Sequence, residues 1–261
     1  MSKIAITALR LEITRAQKIF NALTPAQWAA PSGCTNWRVQ DVACHMASVF
    51  HSIAGPDTIE GGAGKDAEVD AEVPVQARKN WTPQQVMAEY DEWSEIGFAA
   101  LSALQEPPMN DTVVPLSNLG AHPMHILANA IVFDHYCHLR HDIGFSVPTA
   151  AALPQDPDAL NATLEWMLAG TPQMCADALA TCTQGVNLVF TGSGQSSFAL
   201  SPGTDGWVIT SGVNASLPTA TGSAHDFVSW ATKRADWRKH VTLTADPTGA
   251  AANTLDAINI I

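Results

Sequence analysis

Basic residues are scarce in this chain. Thirteen Lys and Arg stand against 25 Asp and Glu in 261 residues, a formal net charge of −12. Phosphate binding needs a basic stripe and none is visible, so no nucleic-acid partner is expected. The acidic balance names no partner; solubility accounts for it. Long apolar runs are also missing. No stretch approaches the ~18 residues of a membrane span, so no membrane role is expected. The opening, Met1-Ser2-Lys3-Ile4-Ala5-Ile6, lacks the apolar core and small-residue cleavage site of a secretory leader. Cysteine is limited to Cys34, Cys44, Cys137, Cys175 and Cys182, an odd count without a CxxC pair. That argues against a disulfide framework and for reduced thiols in a cytoplasmic protein. What is plentiful is apolar residue: 46% hydrophobic with 15% charged gives material for a core and argues against disorder.

The periodicity predicts helices. Ile6, Leu9, Ile13, Ile19, Phe20 and Leu23 recur at helical spacing over residues 4–23. Thr24-Pro25 reads as an N-cap with proline at N1, opening a short turn that contains Trp28. After a loop at Pro31–Asn36, a second helix is expected from about Gln40 to Ile53, ended by Gly55. Residues 55–80 read as a long Gly/Ala/Asp/Glu-rich loop. A third helix opens at Thr82-Pro83 and runs to Leu104; after an irregular stretch at 105–121, a fourth runs from His122-Pro123 to Gly144. Four amphipathic segments predict a four-helix bundle, with metal sites commonly built on its facing helices.

Pro148–Pro157 reads as a linker. Beyond it, a helical pattern over 157–182 is followed by alternating runs at 186–190, 197–200 and 206–209, then helices at 225–234 and 248–258. The expected organisation is α+β: a bundle over residues 1–150, then a smaller α+β domain with a short antiparallel sheet over 156–261.

The chemistry concentrates in Asp134-His135-Tyr136-Cys137-His138-Leu139-Arg140-His141. On a helix, Asp134, His138 and His141 fall within roughly a 60° arc. A carboxylate and two imidazoles on one stripe are ligands of the kind zinc and similar divalent ions accept. One helix rarely closes a site alone, and His45 on the second helix is the best further ligand. The same spacing also arises on polar helix faces that hold no metal. His135 falls ~100° off the stripe and Cys44 and Cys137 turn ~100° away from the neighbouring histidines, so the two cysteines read as core. Arg140 reads as solvated or ion-paired. His122, His225 and His240 read as surface groups, and Trp28 and Trp37 as core.

Several of these residues resemble a known family. Leu23-Thr24-Pro25-Ala26-Gln27-Trp28, Pro31-Ser32-Gly33-Cys34, Trp37-Arg38-Val39 and Asp41-Val42-Ala43-Cys44-His45 are similar to the opening of the mycothiol-dependent maleylpyruvate isomerases, members of the DinB-like superfamily. The family's second signature is a glutamate, a histidine four residues on, an aspartate three further and a closing glycine; Asp134, His138, His141 and Gly144 occupy that frame here. Phe227–Arg234, with Trp237 and Val241, resembles the family's sterol-carrier-like C-terminal domain. The resemblance implies a divalent metal, usually zinc, on His45, Asp134 and His138. It also implies mycothiol or another small thiol as cosubstrate. Two departures stand out. Aspartate at 134 is one methylene shorter than the usual glutamate. His141 stands where aspartate is usual, as a fourth ligand, a supporting partner or a general base.

The implied chemistry is that of an enzyme. A metal-bound thiol loses its proton near neutral pH. The thiolate would attack a small electrophilic, anionic substrate: elimination after bond rotation gives isomerisation, and retention of the adduct gives a thiol transferase. Arg234, in a position resembling a family arginine, would meet the anion; as a helix-end residue it could equally serve the helix dipole. Two other readings compete. A thiol-independent, metal-dependent hydrolase or biosynthetic enzyme would turn over without thiol. A non-catalytic small-ligand-binding protein would take up ligand regardless of chelators.

Overall fold

The computed structural model describes residues 3–62 and 64–260. The chain forms two compact units, one ending at Pro154 and the other beginning at Gln155. No helix among the described residues is long and apolar enough to cross a membrane.

In chain order the first unit holds α1 (Lys3–Ala22), α2 (Pro25–Trp28), α3 (Val39–Ala54), α4 (Ala67–Ala77), α5 (Pro83–Ala103), a hairpin of β1 (Val113–Pro115) and β2 (Ala121–Pro123), α6 (Leu127–Cys137) and α7 (Pro148–Ala151). Thr24 and Thr82 both close capping boxes with the glutamine three residues on, and proline follows each cap. Arg38 and Asp41 start α3: the carboxylate accepts from the Arg38 backbone N–H at 2.8 Å and from its guanidinium at 2.7 and 3.0 Å.

Helices α1, α3, α5 and α6 pack on one another as the bundle. Their buried residues keep helical spacing: Ala5, Leu9, Ile13, Ala16 and Phe20 on α1; Val39, Val42, Met46 and Phe50 on α3; Val86, Tyr90, Gly97 and Leu101 on α5. The Phe20 and Tyr90 rings meet edge to face at 5.1 Å. Gly97 lets α3 and α5 approach, because a Cβ there would lie 2.5 Å from Phe50 Cδ1.

Three expectations are corrected. The stretch 55–80 is not all loop: it carries α4, whose weak amphipathy and internal Pro74 conceal it from periodicity. His122 and Pro123 do not begin a helix: they lie in β2, with His122 opposite Val114. His122 is also buried rather than on the surface, its Nε2 lying 2.9 Å from the Leu119 carbonyl oxygen.

The fourth bundle helix changes character near its end. The α-helix stops at Cys137, and His138–Ile143 form a π-helical turn. The Gly144 N–H donates to the Leu139 carbonyl five residues back, at 3.0 Å.

The second unit contains α8 (Pro157–Met174), α9 (Ala176–Leu179), β3 (Val186–Thr191), β4 (Ser196–Gly203), β5 (Gly206–Ser211), β6 (Thr219–Ser223), α10 (Ala224–Ala231), β7 (Thr242–Thr244) and α11 (Ala250–Ala257). Its sheet has five strands in the order β5-β4-β3-β6-β7. The sheet is mixed: β3 and β6 run parallel, with Leu188 opposite Ala220, while the other pairs are antiparallel. The expected α+β class is met, with a larger sheet than the three visible runs suggest.

Candidate metal centre

His45 projects from the middle of α3, and Asp134 and His138 from the end of α6 and the start of the π-turn. Asp134 Oδ1 lies 3.0 Å from His45 Nε2 and 3.4 Å from His138 Nε2. The three donor atoms all fall within 4.8 Å of one another. Four ligands held tetrahedrally ~2.0–2.1 Å from a zinc ion are ~3.3 Å apart, so Asp134 Oδ1 already stands close to ligand spacing from both histidines. Asp134, one methylene shorter than glutamate, reaches both histidines.

One buried polar atom in this cluster, His45 Nδ1, makes no hydrogen bond among the described residues. Two imidazole nitrogens and a carboxylate oxygen gathered in this way are donors that zinc and similar divalent ions take. The donor set therefore fits a divalent cation.

The surroundings hold the donors in place. Burial pushes the Asp134 carboxyl up, yet the charges of His138 and His45 outweigh it and hold the group well below the usual carboxylate range. Burial likewise lowers His138, but Asp134 and the hydrogen bonds to Asp134 and Asp142 carry it well above the ordinary imidazole value. Behind Asp134, the buried His135 places Nδ1 3.0 Å from the Ile131 carbonyl and 3.3 Å from Asp134 Oδ2. A carbonyl only accepts, so Nδ1 carries hydrogen there, and Nε2 meets the Tyr90 hydroxyl at 2.9 Å. The Trp37 ring packs on the His45 ring with centroids 5.4 Å apart, and its Nε1 donates to Glu72 of α4 at 2.7 Å. Trp37, expected as core, is thus a half-buried wall of the site.

The π-turn settles the other side of His138. Its Nδ1 lies 2.7 Å from Asp142 Oδ2, and Asp142 is wholly buried. A histidine held from behind by a carboxylate is the usual arrangement at metal sites. A regular helix aligns His141 rather than Asp142 with the stripe, so periodicity does not single out Asp142; the available signal is an aspartate four residues after His138. His141 contributes no atom to either donor group among the described residues. Of the two readings of Arg140, solvated or ion-paired, the second holds: it is buried, donating to Glu12 of α1 at 2.9 and 3.0 Å and lying 3.8 Å from the Tyr136 ring centre.

The loop before α3 docks on the π-turn. Gly33 N–H donates to the Asp142 carbonyl at 3.0 Å, and a Cβ at Gly33 would come within 2.7 Å of Asp142 Oδ1. Cys34, next in the chain, puts Sγ 4.0 Å from His138 Nδ1. Arg234 lies in the second unit, exposed just past α10, its N–H donating to the Ser229 carbonyl at 2.9 Å.

A helical bundle with a histidine–carboxylate donor set on facing helices, followed by a separate α+β unit, defines the class of architecture. The family description "Mycothiol maleylpyruvate isomerase N-terminal domain" matches residues 9–144, a little over half of the chain, and the chain belongs to that family. Solved structures share the fold. The crystal structure of the mycothiol-dependent maleylpyruvate isomerase is 14% identical, with 94% of each chain covered and a TM-score of 0.59. A histidine-to-alanine mutant of the mycothiol-dependent maleylpyruvate isomerase is 12% identical, with the same coverage and a TM-score of 0.55. No curated protein matches the chain.

Proposed function

We propose that this chain is a metal-assisted, thiol-dependent isomerase of a small anionic electrophile, with mycothiol or a similar thiol as cosubstrate. The observation that carries the reading is the convergence of His45 with Asp134, 89 residues apart, and with His138 at ligand spacing. Family membership supports it.

When bound, the cation would act as Lewis acid and stabilise the thiolate of a small thiol; addition of the thiolate to one carbon of a conjugated cis double bond would leave a single bond free to rotate, and its expulsion would restore the double bond as trans. His45, Asp134 and His138 would hold the cation. Asp142 fixes the His138 ring, and the Tyr90–His135 pair backs Asp134. Trp37 keeps one wall of the site apolar and, through Glu72, fastens α4 beside it. Of the roles open to His141, proton transfer is the one proposed, since it joins neither donor group and Asp142 supports His138.

The test is turnover of maleylpyruvate by zinc-loaded protein with and without a small thiol. Turnover should need both metal and thiol and vanish in His45→Ala. Metal-dependent turnover that proceeds without thiol would overturn the reading and favour the hydrolase class.

A further inference from the structure

His138 presents two nitrogens to two different donor sets. Nε2 faces His45 and Asp134. Nδ1 faces Asp142 Oδ2 at 2.7 Å and Cys34 Sγ at 4.0 Å, and the ligand atoms of Cys34, His138 and Asp142 all lie within 4.8 Å of one another. We propose that Cys34, His138 Nδ1 and Asp142 form a second cation site, one that takes a thiophilic divalent ion. The proposal rests on the reading of the first site only in that His138 is shared.

The donor chemistry sets the selectivity. A thiolate with an imidazole and a carboxylate suits zinc or cadmium, and a sulfur ligand disfavours magnesium and calcium. Sulfur and nitrogen ligands of one tetrahedral zinc ion lie ~3.5 Å apart and nitrogen and oxygen ligands ~3.3 Å, so Cys34 Sγ, 4.0 Å from His138 Nδ1, would close in by about half an ångström and the 2.7 Å His138–Asp142 contact would open by a similar amount.

The backbone already places the thiol. The Ser32 N–H and hydroxyl both donate to the Trp37 carbonyl, at 2.9 and 2.8 Å, and the Cys34 N–H donates to Ser32 Oγ at 3.1 Å. Trp37 N–H closes on the Cys34 carbonyl at 3.1 Å around Asn36, whose φ is 65°. This tight loop is tied to the π-turn by the hydrogen bond from the Gly33 N–H to the Asp142 carbonyl, which holds Cys34 beside Asp142. On binding, the His138 Nδ1 proton facing Asp142 and the Cys34 thiol proton would be released to solvent, and with both donor sets filled His138 would bridge the two ions as an imidazolate.

Cobalt(II) titration of the full-length metal-free protein tests this. Coordination by thiolate gives a sulfur-to-cobalt charge-transfer band in the near ultraviolet, separate from the visible bands of nitrogen and oxygen ligation. The charge-transfer band should appear in wild type, persist in His45→Ala and be lost in Cys34→Ser, while Cys34→Ser keeps visible bands from the first set. No charge-transfer band in wild type, or one that survives Cys34→Ser, overturns the proposal. Failure of the first-site reading shows differently, as visible bands unchanged in His45→Ala. Should Cys34→Ser not fold, cadmium on wild type serves: it must shield Cys34 from iodoacetamide, as read by peptide mapping, and equal labelling with and without cadmium overturns the proposal.

Discussion

Replacing Asp142 with asparagine keeps the size of the side chain and one acceptor oxygen, but removes the negative charge behind His138. The bond it alters is 2.7 Å long and its carboxylate is wholly buried. A short, charge-assisted bond in that setting is among the stronger kinds. Loss of a carboxylate that supports a metal-binding histidine costs ~10–100-fold in metal affinity, or ~1.4–2.8 kcal/mol at ~1.4 kcal/mol per tenfold. Burial of the pair puts the expected loss in the upper half of that range. The assay is competition for one equivalent of zinc between the protein and a chromophoric chelator at fixed neutral pH. Thermal unfolding of the metal-free forms establishes that the variant is folded. Affinity within twofold of wild type would refute the reasoning, and would mean that Asp142 serves the π-turn rather than the ligand.

Other consequences can be measured directly. Glu12→Ala strands the buried Arg140 guanidinium, so it should lower stability by ~3–5 kcal/mol in denaturant unfolding; a loss below 1 kcal/mol would contradict the pairing. Cys44 is wholly buried, and burial, with Asp41 and Glu89 nearby, pushes its thiol up to about 12. It should stay unlabelled by iodoacetamide at pH 8 until the protein is unfolded, as peptide mapping will report. In the second unit, hydrogen bonding from Arg238 pulls the Asp256 carboxyl down against burial. Its contribution is present above the unfolded carboxylate value of ~3.9 and is lost as pH falls through the lower folded value. Asp256→Asn should therefore flatten the acid limb of a melting-temperature profile and leave the slope near neutrality unchanged.

Much of the bundle is written in local chemistry. The caps at Thr24-Pro25 and Thr82-Pro83 announce α2 and α5, and the apolar stripes of α1 and α3 announce the faces they bury. His45, Asp134 and His138 are legible because each sits on a regular helix or one turn from it. The π-turn is not legible: a single extra residue per turn leaves no periodic signature, so regular-helix geometry chose His141 where Asp142 makes the contact. Strands β6 and β7 escape for another reason. Thr219-Ala220-Thr221-Gly222-Ser223 and Thr242-Leu243-Thr244 carry too few apolar side chains to show alternation, and β6 pairs in parallel with β3 only in three dimensions. Cys34 stood in a recognisable motif, but nothing in its neighbours along the chain pointed to His138, 104 residues away.

Metal content bears most directly on the central claim. Protein purified without a histidine tag should carry at least one tightly held divalent metal per chain by mass spectrometry; His45→Ala should lose the equivalent held with Asp134, and His138→Ala, which serves both donor sets, should lose all of it. A metal-free wild type that also binds none on titration, or a His45→Ala variant with full metal content, would contradict the account.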